Sequence, residues 1–264
     1  MLQIDNLYKV FHIGEINQKV ALQNINLLLK PGEFVTVIGG NGAGKSTLLN
    51  CIAGVHLPEK GTVVLDGKKI THLPDYRRAG AICRIFQDPM IGTAASLTVE
   101  ENLALALRRG QRRRLNRAIT AGERTLFREK LAVLELGLEE RLTTPAKLLS
   151  GGQRQALALL MATLVRPKLA LLDEHTASLD PKTALRVLHL TRTLFEKEKI
   201  TTLMITHNME QALDLGSRLI MLHEGSIILD FNNHEREGLT VPRLVELFHD
   251  ASGEQMHNDR LLLH

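Results

Sequence analysis

The spacing of hydrophobic positions changes several times along the chain, and each change predicts an element. From Leu2 to Leu29 apolar residues alternate loosely with polar ones and Asn, Gly and Gln interrupt them, which predicts short antiparallel strands in a small β-layer. Pro31-Gly32 then turns the chain into Phe34-Val35-Thr36-Val37-Ile38, a β-rich run ending in the glycine-rich segment Gly39 to Gly44. A helix is expected from Lys45 through Ile52 to Gly54, followed by β-like stretches at Gly61 to Asp66 and Ala81 to Phe86. From Thr98 to Leu149 apolar positions fall at helical spacing among many charges, so a helical subdomain is expected over about 93–150. Next come an apolar helix (Gln153 to Val165), the buried run Leu169 to Leu172, a helix from Pro181, the run Ile200 to Ile205 and a helix from Asn208. Continuous apolar strands alternating with helices predict an α/β fold whose core is a mostly parallel sheet covered on both faces. After Asp230 the chain is polar, then weakly amphipathic from Val241 to Phe248, with loosely held last residues. The expected division is one domain over 1–230 and a short tail with one helix over 231–264.

Composition narrows the classes. With 264 residues, 44% hydrophobic and 23% charged, the chain is ordinary globular material rather than a fibrous, disordered or disulfide-built one. Lys plus Arg (33) barely exceeds Asp plus Glu (29), a surplus too small to argue for a nucleic-acid or anionic-lipid partner. Cys51 and Cys83 lie in apolar stretches without CxxC spacing, which suits a reducing cytoplasm. The N-terminus has no basic n-region, and the longest apolar run, Ala156 to Val165, is half the roughly 20 residues a bilayer span needs. The expectation is a chain neither secreted nor membrane-spanning.

Gly39-Gly40-Asn41-Gly42-Ala43-Gly44-Lys45-Ser46-Thr47 matches GxxxxGK[ST], with a buried strand before it and a helix after it. Such a loop turns backbone N–H groups inward, and the following helix N-terminus adds about half a positive charge, the donors a triphosphate needs. Lys45 would reach the β and γ phosphates, Ser46 would hold Mg²⁺, and Thr47 is a further phosphate contact. The apolar strand Leu169-Ala170-Leu171-Leu172 then delivers Asp173 and Glu174 at its carboxyl end, where ligands sit in open α/β sheets. Adjacent residues on an extended chain point oppositely, so Asp173 fits Mg²⁺ coordination and Glu174 fits the base that activates the attacking water.

Leu149-Ser150-Gly151-Gly152-Gln153 opens a long apolar helix just upstream of that acidic strand. This segment resembles the signature motif of ABC-type ATPases, and the resemblance runs from about Leu2 to Asp230. It implies a P-loop NTPase fold of ABC type, with an N-terminal antiparallel β-subdomain and a helical subdomain. It also implies ATP and Mg²⁺ as cofactors, and a head-to-tail dimer in which Ser150, Gly151, Gly152 and Gln153 of one copy meet the γ-phosphate held by the other. Gln87 stands where the family has its Q-loop glutamine, which contacts Mg²⁺ or the attacking water. His207 resembles the switch histidine that holds Glu174 and water in line. Ala177-Ser178-Leu179-Asp180 looks like the D-loop. Phe11 resembles the aromatic that stacks on adenine, with Tyr8 as the alternative ring.

Two positions depart from the family pattern. His175 follows Glu174 where the family usually has proline; it could loosen that turn, add a titratable group or simply be tolerated. Gly40 stands where a bulkier residue is frequent. Separately, Arg108, Arg109, Arg112, Arg113, Arg114 and Arg117 form a basic cluster, read as a solvated loop or as a contact for anionic headgroups or RNA. Only 3% of residues are aromatic and Trp is absent, which leaves few platforms for nucleic acid.

The resemblance implies the ATPase subunit of a transporter, peripheral on the cytoplasmic face of the membrane, with separate permease subunits and indirectly a substrate-binding protein. The alternative is a soluble ABC ATPase acting on ribosomes or nucleic acid. Ribosome-acting members carry two motif sets. Chromosome-structuring members insert a coiled coil, yet only about 105 residues separate Lys45 from Ser150 here. DNA-damage sensors need cysteine-ligated zinc. Stretches such as Asp88 to Asn102 look like a bacterial importer subgroup, some of whose members are assigned aromatic amino acids.

Overall fold

The computed structural model describes residues 1–111 and 119–253. Its first elements in chain order are β1 (Leu2–Phe11), β2 (Lys19–Leu29), β3 (Phe34–Ile38), α1 (Lys45–Ala53), β4 (Lys60–Leu65), β5 (Lys68–Lys69) and α2 (Asp75–Arg78). Then come β6 (Ile82–Ile85), α3 (Val99–Leu107), α4 (Ala121–Ala132), α5 (Gly151–Leu164), β7 (Leu169–Asp173) and α6 (Pro181–Thr191). The last are β8 (Thr202–Ile205), α7 (Met209–Asp214), β9 (Arg218–His223), β10 (Ser226–Phe231), α8 (Asn233–Arg236) and α9 (Val241–Ser252). They form two compact units, Met1–Arg78 with the described residues from Lys199 onward, and Ala79–Glu198. The expectation of loosely held last residues concerns 254–264, outside the described residues.

In the first unit, β2, β1, β4 and β5 make an antiparallel sheet in that order. A second group runs β10-β9-β3-β8, with β3 parallel to β8 and β9, and β10 antiparallel to β9. All five residues of β3 and all four of β8 are buried, as expected of strands covered on both faces. The sequence pattern did not predict β9 and β10. They form a hairpin whose two-residue turn, Glu224 (φ 44°) and Gly225 (φ 79°), has both central residues left-handed, the geometry that matches strand twist. Helix α9 covers β9 and β10, its Leu244 and Phe248 packing with Leu219, Met221 and Met209.

Buried Arg78 closes the far end of α1. It donates to the carbonyls of Cys51 (2.9 Å), Ile52 (2.7 Å), Thr71 (2.9 Å) and Leu73 (2.8 Å), so a cation sits on the negative end of the α1 dipole and satisfies its orphan acceptors.

In the second unit β6 and β7 pair in parallel, and α3, α4 and α5 form the helical part. Thr98, Thr120 and Ser150 each start a helix with a reciprocal capping box to Glu101, Glu123 and Gln153. Glu100 of α3 and Arg124 of α4 form a two-pronged ion pair at 2.7 and 3.0 Å. Fully buried Asn102 accepts from Ala94 N–H (2.8 Å) and donates to the Ala94 (3.1 Å) and Thr98 (2.9 Å) carbonyls, tying 94–98 to α3.

Arg78→Met should leave four buried carbonyls without their donor and lower stability by about 2–4 kcal/mol. A urea midpoint equal to that of the unsubstituted chain would show that α1 does not depend on this cap.

Candidate functional site

The glycine-rich loop leaves the end of β3 and enters α1. Gly39 has φ 149°, and a Cβ there would lie 2.2 Å from the Leu222 carbonyl oxygen; Gly44, the N-cap of α1, has φ 102°, and a Cβ there would lie 2.5 Å from the Ala21 carbonyl oxygen. These two positions accept glycine alone. Gly40, by contrast, has open space where a Cβ would point, so its departure from the family pattern reflects no steric demand here. No side chain caps the α1 N-terminus. The Lys45 side chain is buried and curls over the loop, donating to the Gly39 (2.7 Å) and Gly40 (3.0 Å) carbonyls, which holds its ammonium at the loop's centre. Exposed Ser46 follows directly.

In the same unit Val37 of β3 is level with Ile205 of β8, and Gly39 and His207 each follow two residues further along the chain. His207 is exposed. Thr206 accepts from Asn208 N–H (3.1 Å) and Asn208 N-caps α7 through Gln211 N–H (2.9 Å), which fixes the backbone on either side of His207. Phe11, half-buried at the end of β1, meets His56 edge to face at 5.2 Å and carries the Lys9 ammonium 5.1 Å from its ring centre. Tyr8 carries Lys60 at 5.8 Å.

The second unit repeats this arrangement. Ile85 of β6 is level with Leu172 of β7, so exposed Gln87 and half-buried Glu174 stand two residues beyond one register pair. Asp173 receives a hydrogen bond from Arg84 of β6 at 3.0 Å. Glu174 has φ 46°, a left-handed backbone that costs a residue with a Cβ about 1 kcal/mol and that gathers at functional sites. Ser178 donates to the Gln87 carbonyl at 3.0 Å, and fully buried Gln155 donates to the Phe86 carbonyl at 3.2 Å. Asp180 N-caps α6 through Thr183 N–H at 3.1 Å; hydrogen bonding by Thr183 holds its carboxyl below the usual carboxylate range.

Ser150 starts α5, and the capping box uses its hydroxyl on Gln153 N–H at 3.3 Å. Gly151 has ordinary space, but a Cβ on Gly152 would lie 2.2 Å from Thr183 Cγ2, so this glycine also serves the approach of α6 to α5. That packing role escapes a reading of the motif for anion binding alone.

His175 is buried, and its Nε2 lies 2.8 Å from Thr191 Oγ1. The Thr191 hydroxyl donates its proton to the Val187 carbonyl (2.9 Å), so the imidazole donates through Nε2–H. Burial pushes its pKa down to about 4. His175 therefore pins the turn after β7 to α6. Of the basic cluster, Arg108 pairs with Glu123 (2.9 Å) and Arg109 donates to the Ala162 (3.0 Å) and Val165 carbonyls at the end of α5. Arg112, Arg113, Arg114 and Arg117 lie outside the described residues.

Among the described residues no group of three or more His, Cys, Asp or Glu could hold a metal by itself. In the first unit an uncapped helix N-terminus, an ammonium and one hydroxyl (Ser46) fit the phosphates of a magnesium nucleotide, because Mg²⁺ takes one or two protein oxygens and the rest from phosphates and water; in the second unit Asp173 is a strand-end carboxylate of the kind that supplies such an oxygen. The ABC transporter family model matches residues 22–177. The chain belongs to this family. Its tyrosine transport ATP-binding relative from Clostridioides difficile is 45% identical over 251 residues, 95% of this chain and 100% of the relative. A methionine import ATP-binding protein of Haemophilus influenzae is 34% identical over 234 residues, 86% of this chain but 64% of that longer protein. A dimeric ATP-binding cassette in a post-hydrolysis state with ADP and Pi superposes with a TM-score of 0.74 at 32% identity, covering 88% of this chain and 99% of the other. This ABC chain is an ATPase that takes ATP with Mg²⁺. Among its described residues no helix is long and apolar enough to cross a membrane.

Because the folded pKa of His175 lies below the ordinary value of 6.5, the unfolded chain binds the proton first as pH falls. The stabilisation is full above pH 6.5 and is lost toward pH 4. We expect a loss of about 2 kcal/mol at pH 5 relative to pH 8 that His175→Gln does not share, read from denaturant unfolding at the two pH values. Equal slopes for both proteins would mean that His175 is not buried neutral.

Proposed function

We propose that this chain is the ATP-hydrolysing subunit of a bacterial importer for an aromatic amino acid. Full-length 45% identity to a tyrosine transport ATP-binding protein favours that cargo class. The single observation that carries the ATPase assignment is the loop from Gly39 to Lys45, with its enforced glycines, uncapped helix and centred ammonium. In this reading two copies close head to tail on two nucleotides and drive separate permease subunits, which a substrate-binding protein supplies. The subunit sits peripherally on the cytoplasmic face of the membrane.

The loop N–H groups from Gly39, Gly40, Asn41, Gly42, Ala43 and Gly44 with Lys45 bind the β and γ phosphates, and Thr47 adds a further contact. Ser46, Asp173 and Gln87 hold Mg²⁺, which when bound supplies positive charge to the phosphate oxygens. Glu174 takes a proton from the attacking water, and His207 and Gln87 keep that water in line. Phe11 stacks on adenine. Ser150, Gly151, Gly152 and Gln153 of the partner copy complete the γ-phosphate cradle, and Ser178 and Asp180 lie on the loop between copies.

Permease docking falls on the segment after Gln87. Met90 and Ile91 are 50% and 61% exposed, and Asp88 shapes their turn by accepting from Met90 N–H at 2.8 Å. Leu97 is half-buried and its carbonyl accepts from Ala146 N–H, which suits packing better than docking.

Lys45→Ala should remove most ATP binding in calorimetry, and unchanged affinity would take the loop out of the mechanism. Glu174→Gln should keep ATP affinity within a few-fold, lose most turnover and accumulate the ATP-bound dimer in light scattering; wild-type turnover would mean another base. Met90→Asp or Ile91→Asp should leave the isolated ATPase within a few-fold of normal while weakening co-purification with the permease. Normal assembly by both variants would place docking elsewhere. In the reconstituted importer with its binding protein, tyrosine should stimulate ATPase activity, and stimulation by non-aromatic amino acids alone would overturn the cargo class.

A further inference from the structure

Arg84 is a cation on a strand whose other residues, Ile82, Cys83 and Ile85, are buried and apolar. A solvent-facing role does not explain it, because the side chain is 17% exposed and that of Asp173, which it contacts, is 13% exposed. Three features hold the guanidinium there. Its strand is locked in register to β7, Arg84 opposite Leu171. The guanidinium lies 4.7 Å from the Phe86 ring centre, on the same face of the strand two residues on. One guanidinium nitrogen donates to Asp173 Oδ2 at 3.0 Å. Arginine's planar group keeps its direction, so a carboxylate held by it stays aimed.

We propose that Arg84 is a positioning residue for the metal-binding carboxylate, a role that rests on the assignment of Asp173 to Mg²⁺ above. An aspartate at a strand end has two free side-chain torsions, and ordering them at the moment of binding costs affinity. Arg84 orders them beforehand through one carboxylate oxygen. Carboxylates that ligate metals are commonly hydrogen-bonded from behind, and loss of that support lowers metal affinity about ten- to a hundredfold. The Arg84 charge also repels the cation, so the sign of the effect decides between an orienting group and a competitor.

The test uses the full chain in a Glu174→Gln background, where binding is read without turnover. ATP affinity is measured in EDTA and then as Mg²⁺ is titrated in. Arg84→Met should leave metal-free ATP affinity within about twofold and raise the Mg²⁺ concentration at half effect by about tenfold. Arg84→Lys should recover part of the shift, and it carries the test in the same direction if Arg84→Met does not fold. Asp173→Asn is measured in parallel and must shift the Mg²⁺ dependence. If it does not, the assignment of Asp173 fails and the role of Arg84 with it. If Asp173→Asn shifts the dependence while Arg84→Met leaves it unchanged or lowers it, Arg84 does not position the carboxylate. Equal losses with and without metal would make Arg84 a structural residue only, which also overturns the proposal.

Discussion

A parallel β-ladder sets the ends of its two strands in register, and the candidate residues of this chain follow such a pair of strand ends in each unit. Val37 opposite Ile205 sets the strand ends that the glycine-rich loop and His207 follow. Ile85 opposite Leu172 sets those that Gln87 and Glu174 follow. Nearly every residue of these four strands is buried, so the packing that covers both their faces also holds the strand ends from which the candidate groups follow. Precision at the strand ends is thus a by-product of core packing, and the loops need only short, local devices to finish the site.

Those devices concern helix termini. The helices α3, α4, α5, α6, α7 and α9 all begin with a side chain that accepts from the backbone of the first turn. Helix α1 has no such cap, although it is closed at its other end by Gly54 and Arg78. The N-terminus of α1, with its dipole, therefore meets the glycine-rich loop with no side-chain cap in between, an arrangement that suits an anion. Helix α5 makes the contrast instructive. Its Ser150 hydroxyl satisfies Gln153 N–H within the same chain, so the proposed contact with a phosphate on a partner copy would share that hydroxyl.

The legible parts of the molecule were the local ones. Lys45, Ser46 and the glycines around them are specified within nine residues, and the strand before and helix after follow from hydrophobic spacing alone. The β9–β10 hairpin was hidden because Arg218 to His223 is apolar without alternation and its turn is Glu-Gly rather than the more telling Asn-Gly. Arg84 left only a faint trace, a lone cation in Ile-Cys-Arg-Ile, and its partner lies 89 residues away. Gly152 was read for its N–H while its missing side chain serves the packing of α6, and Gln155 carried no signal for the Phe86 carbonyl it holds. For Arg84, Gly152 and Gln155 the deciding neighbour is distant in sequence, where spacing rules have nothing to act on.

The turn after β7 joins the strained and the unusual residue into one arrangement. A proline at position 175 would push Glu174 toward extended backbone through the clash of its ring with the preceding residue. With His175 there, Glu174 is left-handed at φ 46°, and its carbonyl accepts from Ala177 N–H at 2.9 Å to close the turn. A left-handed residue with a Cβ persists only if its surroundings hold it. The histidine supplies part of that hold, because its buried ring donates to Thr191, which is itself bonded to Val187 within α6. The turn is thus restrained by a hydrogen-bonded pin rather than by a covalent ring. That places the restraint on Glu174 in the packing between the turn and α6.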